Sequence, residues 1–168
     1  MKSIRIRGKR NIDSMEDGKK AVRTGMDNVG DELMLHETQK TMVNKLYLGE
    51  DFDQSTTLKR ELTRKINSYK GQDVKKGTYD EGKLISFEDT ITKLVSSKLL
   101  CHYCYKEVKV LFKNVREPSQ WTLDRMDNDG CHSDENTIIA CMKCNLERRV
   151  TDIGKFTFTK RLRIKRIE

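Results

Sequence analysis

Proline is almost absent from this chain: Pro118 stands alone among 168 residues. No proline-rich linker therefore marks a domain boundary. Apolar residues are also scarce, 35% against 36% charged. That balance argues against one large apolar core. It leads us to expect extra fastening, such as a metal, at the small end of the chain. No apolar run approaches the roughly 18 to 20 residues that a membrane span needs. The opening MKSIRIRGKRNID is basic but lacks the apolar stretch of a signal peptide. An intracellular setting is the expectation, and in reducing compartments paired cysteines bind metal more often than they form disulfides. The length suits one domain, or a small domain with an extension.

What is present is positive charge. The chain carries 34 Lys and Arg against 26 Asp and Glu, a net charge of +8. Such a balance favours a polyanion as partner, most simply nucleic acid, with DNA the first candidate. The charge is unevenly spread. Residues 1–26 hold eight bases and three acids, and 27–55 hold two bases and seven acids. Residues 56–100 and 101–168 are basic again, ten against six and fourteen against ten.

Residues 1–26 read as a basic, flexible arm, with SIRIRGKR as a short strand at most. Residues 27–82 read as a helical accessory region. In VGDELMLHETQKTMVNKLYLG, Val29, Leu33, Met42, Val43 and Leu46 make a moderately amphipathic helix. In STTLKRELTRKINSYKG, Leu58, Leu62, Ile66 and Tyr69 share a face, with Ser55 as the expected cap and Gly71 as the expected end. These helices offer a route to a homodimer. Gly77 and Gly82 then suggest a soft boundary. Ser86, with Asp89 three residues on, starts a helix whose stripe is Phe87, Ile91, Leu94 and Val95.

That helix leads into Cys101 and Cys104, spaced C-x2-C. Cys141 and Cys144 repeat the spacing after 36 residues. One such pair would leave a redox motif open. Two pairs supply four thiolates, a complete tetrahedral shell for structural Zn²⁺. Cys131 is left over and reads as a partly buried thiol. Between the pairs, WTLDRM and NTIIAC read as strands joined by the turn-forming DNDG, and CMKCNLERRV reads as a helix. The expected fold is α+β: a ββα-metal, treble-clef-like zinc finger over 83–168, preceded by a helical N-terminal extension.

Further polar residues stand at positions that a zinc clip does not need. Asp124 lies on the first strand and Asn145 directly follows Cys144. Both offer oxygen ligands of the kind Mg²⁺ or Mn²⁺ prefers. Arg149 suits phosphate, and His132 could act as a general base. Each has a plainer reading: Asp124 pairs with an arginine, Asn145 lies on a helix surface, His132 is solvated, and Asn136 closes a turn.

The segment LDRMDNDGCHSDENTIIACMKCNLER resembles the H-N-H endonuclease superfamily. It is most similar to the zinc-bearing branch that includes the phage resolvase endonuclease VII, and to viral, phage and mobile-element proteins reading L-D-R-I-D-N, then C-x2-C-N-x2-R. The likeness covers about residues 98–150. It implies structural zinc on Cys101, Cys104, Cys141 and Cys144, a catalytic metal on Asp124 and Asn145, and a hairpin-supporting role for Asn136. The family usually has His directly after the strand Asp. Arg125 stands there, and an arginine does not accept a proton. That leaves Asp127 or His132 as the base. The resemblance implies a metal-dependent DNA endonuclease; the alternative is a degenerate zinc finger that only binds nucleic acid. A redox or interaction protein is the third reading. Arg125, Arg148, Arg149, Lys160, Arg161 and Arg163 are the cations expected to meet phosphate. The tail KFTFTKRLRIKRIE alternates apolar and polar residues and reads as a basic strand.

Overall fold

The computed structural model describes residues 22–26 and 29–162. Most of the expected basic arm, its SIRIRGKR strand, and Arg163 with the end of the tail lie outside them. The described residues form an α+β fold with five α-helices and one small antiparallel sheet. In order these are α1 (His36–Tyr47), α2 (Ser55–Lys76), α3 (Phe87–Ser96), β1 (Trp121–Arg125), β2 (Thr137–Cys141), α4 (Met142–Arg148) and α5 (Ile153–Arg161). A 3-10 turn, Asp31–Met34, precedes α1.

Helix α1 buries Gln39, Met42, Val43 and Leu46, the i, i+3, i+4, i+7 spacing of a single face. Gln39 is an amide in an apolar stripe, and it is fully used. Its Nε2 donates to the Leu33 and Leu111 carbonyls at 2.9 and 2.8 Å, and its Oε1 accepts from Val110 and Leu111 N–H at 2.7 and 3.1 Å. One side chain thus fixes the 110–111 backbone to the first helix.

Helix α2 runs past Gly71, the expected end, because its buried face continues through Tyr69 to Asp73. Gly77 stops it, with φ of +74° and its own N–H closing back on the Asp73 and Val74 carbonyls. Ser55 is the first helical residue rather than the cap, and its hydroxyl donates to Asp51 Oδ1 at 3.0 Å. Helix α3 starts where the sequence signal placed it. Ser86 Oγ accepts from Asp89 N–H at 3.0 Å, a cap of the kind that contributes about 1 kcal/mol.

The tail differs from expectation. Residues 153–161 are helical, not a strand: Asp152 caps the start by accepting from Lys155 N–H at 2.9 Å. Phe156 is buried and Phe158 stays exposed, so the alternation marked one inward ring on a helix, not a strand face.

The apolar core is one cluster. It runs from Met42 on α1 through Leu58 and Leu62 on α2, Leu94 on α3, Trp121 and Leu123 on β1, to Phe156 on α5. It therefore crosses the soft boundary at 77–82. The segment after α2 is itself tied down: Ile85 N–H donates to the His132 carbonyl at 2.8 Å, and Leu84 bridges Ser133. The apolar stripes of α1 and α2 face this core.

Candidate metal centre and the buried polar sites around it

The hairpin pairs Trp121 with Cys141, Leu123 with Ile139 and Arg125 with Thr137. This register sets Cys141 at the base of the hairpin, where α4 begins, and the helix turn then presents Cys144. The other two sulfurs come from a tight turn over 101–105. Tyr105 N–H donates to the Cys101 carbonyl and Cys101 N–H to the Lys106 carbonyl, both at 2.9 Å. Tyr105 holds φ of +55°, a region that costs a non-glycine residue about 1 kcal/mol or more. His102 N–H anchors the turn to the Ile139 carbonyl on β2 at 2.9 Å.

The four sulfurs lie within 4.8 Å of one another, with Cys104 and Cys141 4.0 Å apart. A tetrahedral zinc with bonds of about 2.3 Å places sulfurs about 3.8 Å apart, so the cluster fits a metal such as zinc. Its electrostatics point the same way. Hydrogen bonding with the Cys141 thiol holds Cys101 down to about 4, and Cys141, which keeps the shared proton, is pushed far up. Burial pushes Cys144 up to about 12. One thiolate suppresses the next, and a divalent cation at the centre removes the conflict. Cys131 is buried outside this cluster.

Strand alternation sends Thr122 and Asp124 to the side of the hairpin covered by α4. Arg148 follows Cys144 by four residues, so the two share the buried face of α4. Its guanidinium grips Asp124 twice, Nε to Oδ2 at 2.7 Å and Nη2 to Oδ1 at 2.9 Å. The Tyr103 hydroxyl also donates to Asp124 Oδ2, at 2.5 Å. The remaining Arg148 donors reach the carbonyls of Thr151 and Arg125 and the Asn128 side chain. Arg148 is 1% exposed and Asp124 4%. The bond to Asp124 raises Arg148 above its usual range, and burial followed by the same carboxylate raises Tyr103, so both stay protonated donors.

Asn145 is half-buried on the same side and donates from Nδ2 to Thr122 Oγ1 at 3.1 Å. Asp124 and Asn145 therefore face one helix–hairpin junction. Both oxygens of Asp124 are engaged, however, and a guanidinium stands where a second cation would bind. As arranged, these residues do not fit Mg²⁺ or Mn²⁺, which needs several free oxygens at close to octahedral geometry.

His132 lies elsewhere. It is 3% exposed and belongs to a site between the hairpin loop and α2. Asp73 accepts from His132 Nδ1 at 2.7 Å and from its backbone N–H at 2.8 Å. The Tyr69 ring lies 4.6 Å from the imidazole. Arg125 joins them, donating to the Gly130 carbonyl at 3.1 Å and lying 3.4 Å from Asp73. No hydrogen bond among the described residues links His132 to Asp124 or Asn145. Burial holds His132 below its ordinary 6.5, with Arg125 acting in the same sense and Asp73 against it.

A folded-state value below the unfolded one gives stability that is complete above pH 6.5 and is lost as pH falls towards the folded value. Thermal melts of wild type and His132→Asn across that window should show the extra slope in wild type alone. His102, also lowered chiefly by burial, gives both proteins a shared background slope. Parallel melting curves would remove His132 from the balance.

Asn136 closes the hairpin loop. It accepts from Asp127 N–H at 2.8 Å and donates to the carbonyls of Asp127 and Cys131 at 2.8 and 3.0 Å. A Cβ on Gly130 would meet its amide nitrogen at 2.8 Å, so glycine is required for this close approach. Asp127 Oδ1 itself accepts from Asp129 N–H. Of the expected phosphate contacts, Arg149 is exposed at the end of α4. Lys160 pairs with Glu147, and Arg161 donates to the His102 carbonyl at 2.7 Å while lying over the Tyr105 ring.

Comparison with family models, curated proteins and solved structures finds no match to this chain. No described helix is long and apolar enough to cross a membrane. The residues themselves carry the functional reading.

Two further residues complete these sites without having been singled out in the sequence. Tyr103 sits between the first cysteines and gave no pattern signal. Asp73 did give one: it continues the Leu62, Ile66, Tyr69 face of α2, where a carboxylate needs a buried partner.

Proposed function

We propose that the protein binds nucleic acid through α2, on a treble-clef-like zinc finger related to the H-N-H scaffold, with the finger's second cation site closed by Arg148. One observation carries the binding half of this reading. The exposed surface of α2 presents Lys59, Arg60, Arg64, Lys70, Lys75 and Lys76, and no acid. Both acids of that helix are buried: Glu61 pairs with Arg23 inside and with Arg60 and Arg64 at its edge, and Asp73 with His132 and Arg125. A helix 22 residues long spans about 33 Å, enough to follow several phosphates.

Binding to duplex DNA should weaken linearly in log–log plots against salt. Lys59→Ala and Lys75→Ala should each lower the slope by about one. Gel shifts across a salt series check this, and slopes equal to wild type would take α2 out of the interface. A second reading, a metal-dependent endonuclease, draws on Asp124, Thr122 and Asn145 sharing one face beside α4. It needs Arg148 to withdraw from Asp124. Supercoiled plasmid with Mg²⁺ or Mn²⁺ separates the two. We expect retention without nicking, whereas nicking abolished by Asp124→Ala would establish the second reading.

A further inference from the structure

A cavity of about 440 Å³ opens between α2 and the segment over 110–121. Arg23, Arg64, Lys65 and Arg116 line it, and among the described residues Glu61 is the only acid there. We propose that this cavity is a binding site for a phosphate group.

The charge in the cavity is unbalanced. Glu61 already serves three arginines, Arg23 at 2.5 Å, Arg64 at 2.8 Å and Arg60 at 3.9 Å. Arg23 is further fixed by the Phe112 carbonyl at 3.1 Å and lies over the Phe112 ring, 4.1 Å from its centre. Lys65 has no carboxylate in hydrogen-bond reach. Its ammonium donates to Gln120 Oε1 at 2.9 Å and to the Trp121 carbonyl, and lies 4.9 Å from the Trp121 ring. Burial, and then the neighbouring Arg23, push Lys65 down to about 7. Arg116 has no partner among the described residues and holds φ of +59° at the cavity rim. The walls thus supply three planar guanidinium groups, an ammonium and the Ser68 hydroxyl around one space. A tetrahedral anion with several acceptor oxygens matches that donor set, and its charge would stabilise the protonated form of Lys65. The volume admits a phosphate with a nucleoside attached.

The site does not depend on the α2 surface binding duplex, because a free phosphate suffices. Two sources share the chemistry: a terminal or backbone phosphate of nucleic acid, and a small phosphate ester. Trp121, the only tryptophan, lies against Lys65 and reports on the site directly. Its fluorescence should change saturably with inorganic phosphate and stay constant with chloride at equal ionic strength. Arg116→Gln, a change at an exposed position, should weaken the response several-fold, and Lys65→Gln should weaken it about tenfold. A nucleoside monophosphate and single strands with and without a 5′-phosphate distinguish the sources. Tighter binding of the phosphorylated strand assigns the site to nucleic-acid ends; equal binding of the monophosphate assigns it to small esters. A response matched by chloride, or an Arg116→Gln affinity within about twofold of wild type, would overturn the assignment. Neither result bears on the salt slopes of the α2 variants, which test the other surface.

Discussion

Removing metal from Cys101, Cys104, Cys141 and Cys144 is expected to unfold the hairpin half of the chain. Little else there can hold it alone. The sheet has two strands, and a two-stranded hairpin is marginal in water. Helix α4 has seven residues, well below the roughly 12 to 15 at which an isolated helix becomes even marginally stable. A four-thiolate zinc site contributes on the order of 10 kcal/mol or more at neutral pH, larger than the whole stability of many domains. Metal analysis should return one zinc per chain, and a strong chelator should abolish the near-ultraviolet signal of Trp121. Cys104→Ser is the decisive variant, because Cys104 is the half-buried member and contributes the least packing. It should reproduce the chelated state. A Cys104→Ser protein that melts like wild type would leave the cluster as four neighbouring thiols and nothing more.

The second large effect is predicted at Arg148. Arg148→Ala leaves the Asp124 carboxylate in a nearly water-free site with only the Tyr103 hydroxyl as partner. Breaking one side of such a pair costs about 3–5 kcal/mol, because a buried charge is stranded. Urea unfolding should show that loss. Arg149→Ala, one residue on but exposed, should change stability by no more than about 0.5 kcal/mol. Asp124→Asn with Arg148→Gln should be less damaging than the sum of the two singles, which a double-mutant cycle measures directly. A loss at Arg148 no greater than that at Arg149 would show that the pair does not hold the hairpin to α4. The same variant also serves the function question, since it frees Asp124 for a divalent cation if the finger remains folded.

The legible parts of this chain are those written in short spacings. The cysteine pairs, the Ser86–Asp89 cap and the strand alternation around Leu123 and Ile139 each depend on residues a few positions apart. Helix ends were less legible. Gly71 carries the composition of a stop, yet what matters is whether the buried face goes on, and Tyr69 and Asp73 keep it going until Gly77. The tail failed for a related reason. Phe156 and Phe158 alternate like a strand, but only Phe156 has a surface to meet, the edge of the Tyr103 ring at 4.9 Å.

The polar sites were legible as positions and not as pairings. Asp124, His132, Asn136 and Asn145 all proved to be in or near buried junctions. Nothing local says that Arg148 would turn to Asp124, 24 residues back, or that His132 would find Asp73, 59 residues back. Those choices follow from which face of β1 each helix covers. Arg125 illustrates the point: it was expected to meet phosphate, and strand alternation carried it away from Asp124 to the Gly130 carbonyl and Asp73.

Both sides of the hairpin are fastened, one by the cysteines and Arg148 and the other by α2. A piece beginning at residue 83 would keep every cysteine. It would lose the Tyr69 hydroxyl that accepts from Leu123 N–H, the Asp73 carboxylate under His132 and Arg125, and the Gln39 amide that fixes the 110–111 backbone. The hairpin and its four cysteines are thus not a portable part that could be grafted onto another protein. Any shortening or exchange of this chain must carry α1 and α2 with the cysteines, since the helices form the other half of the hairpin's seat.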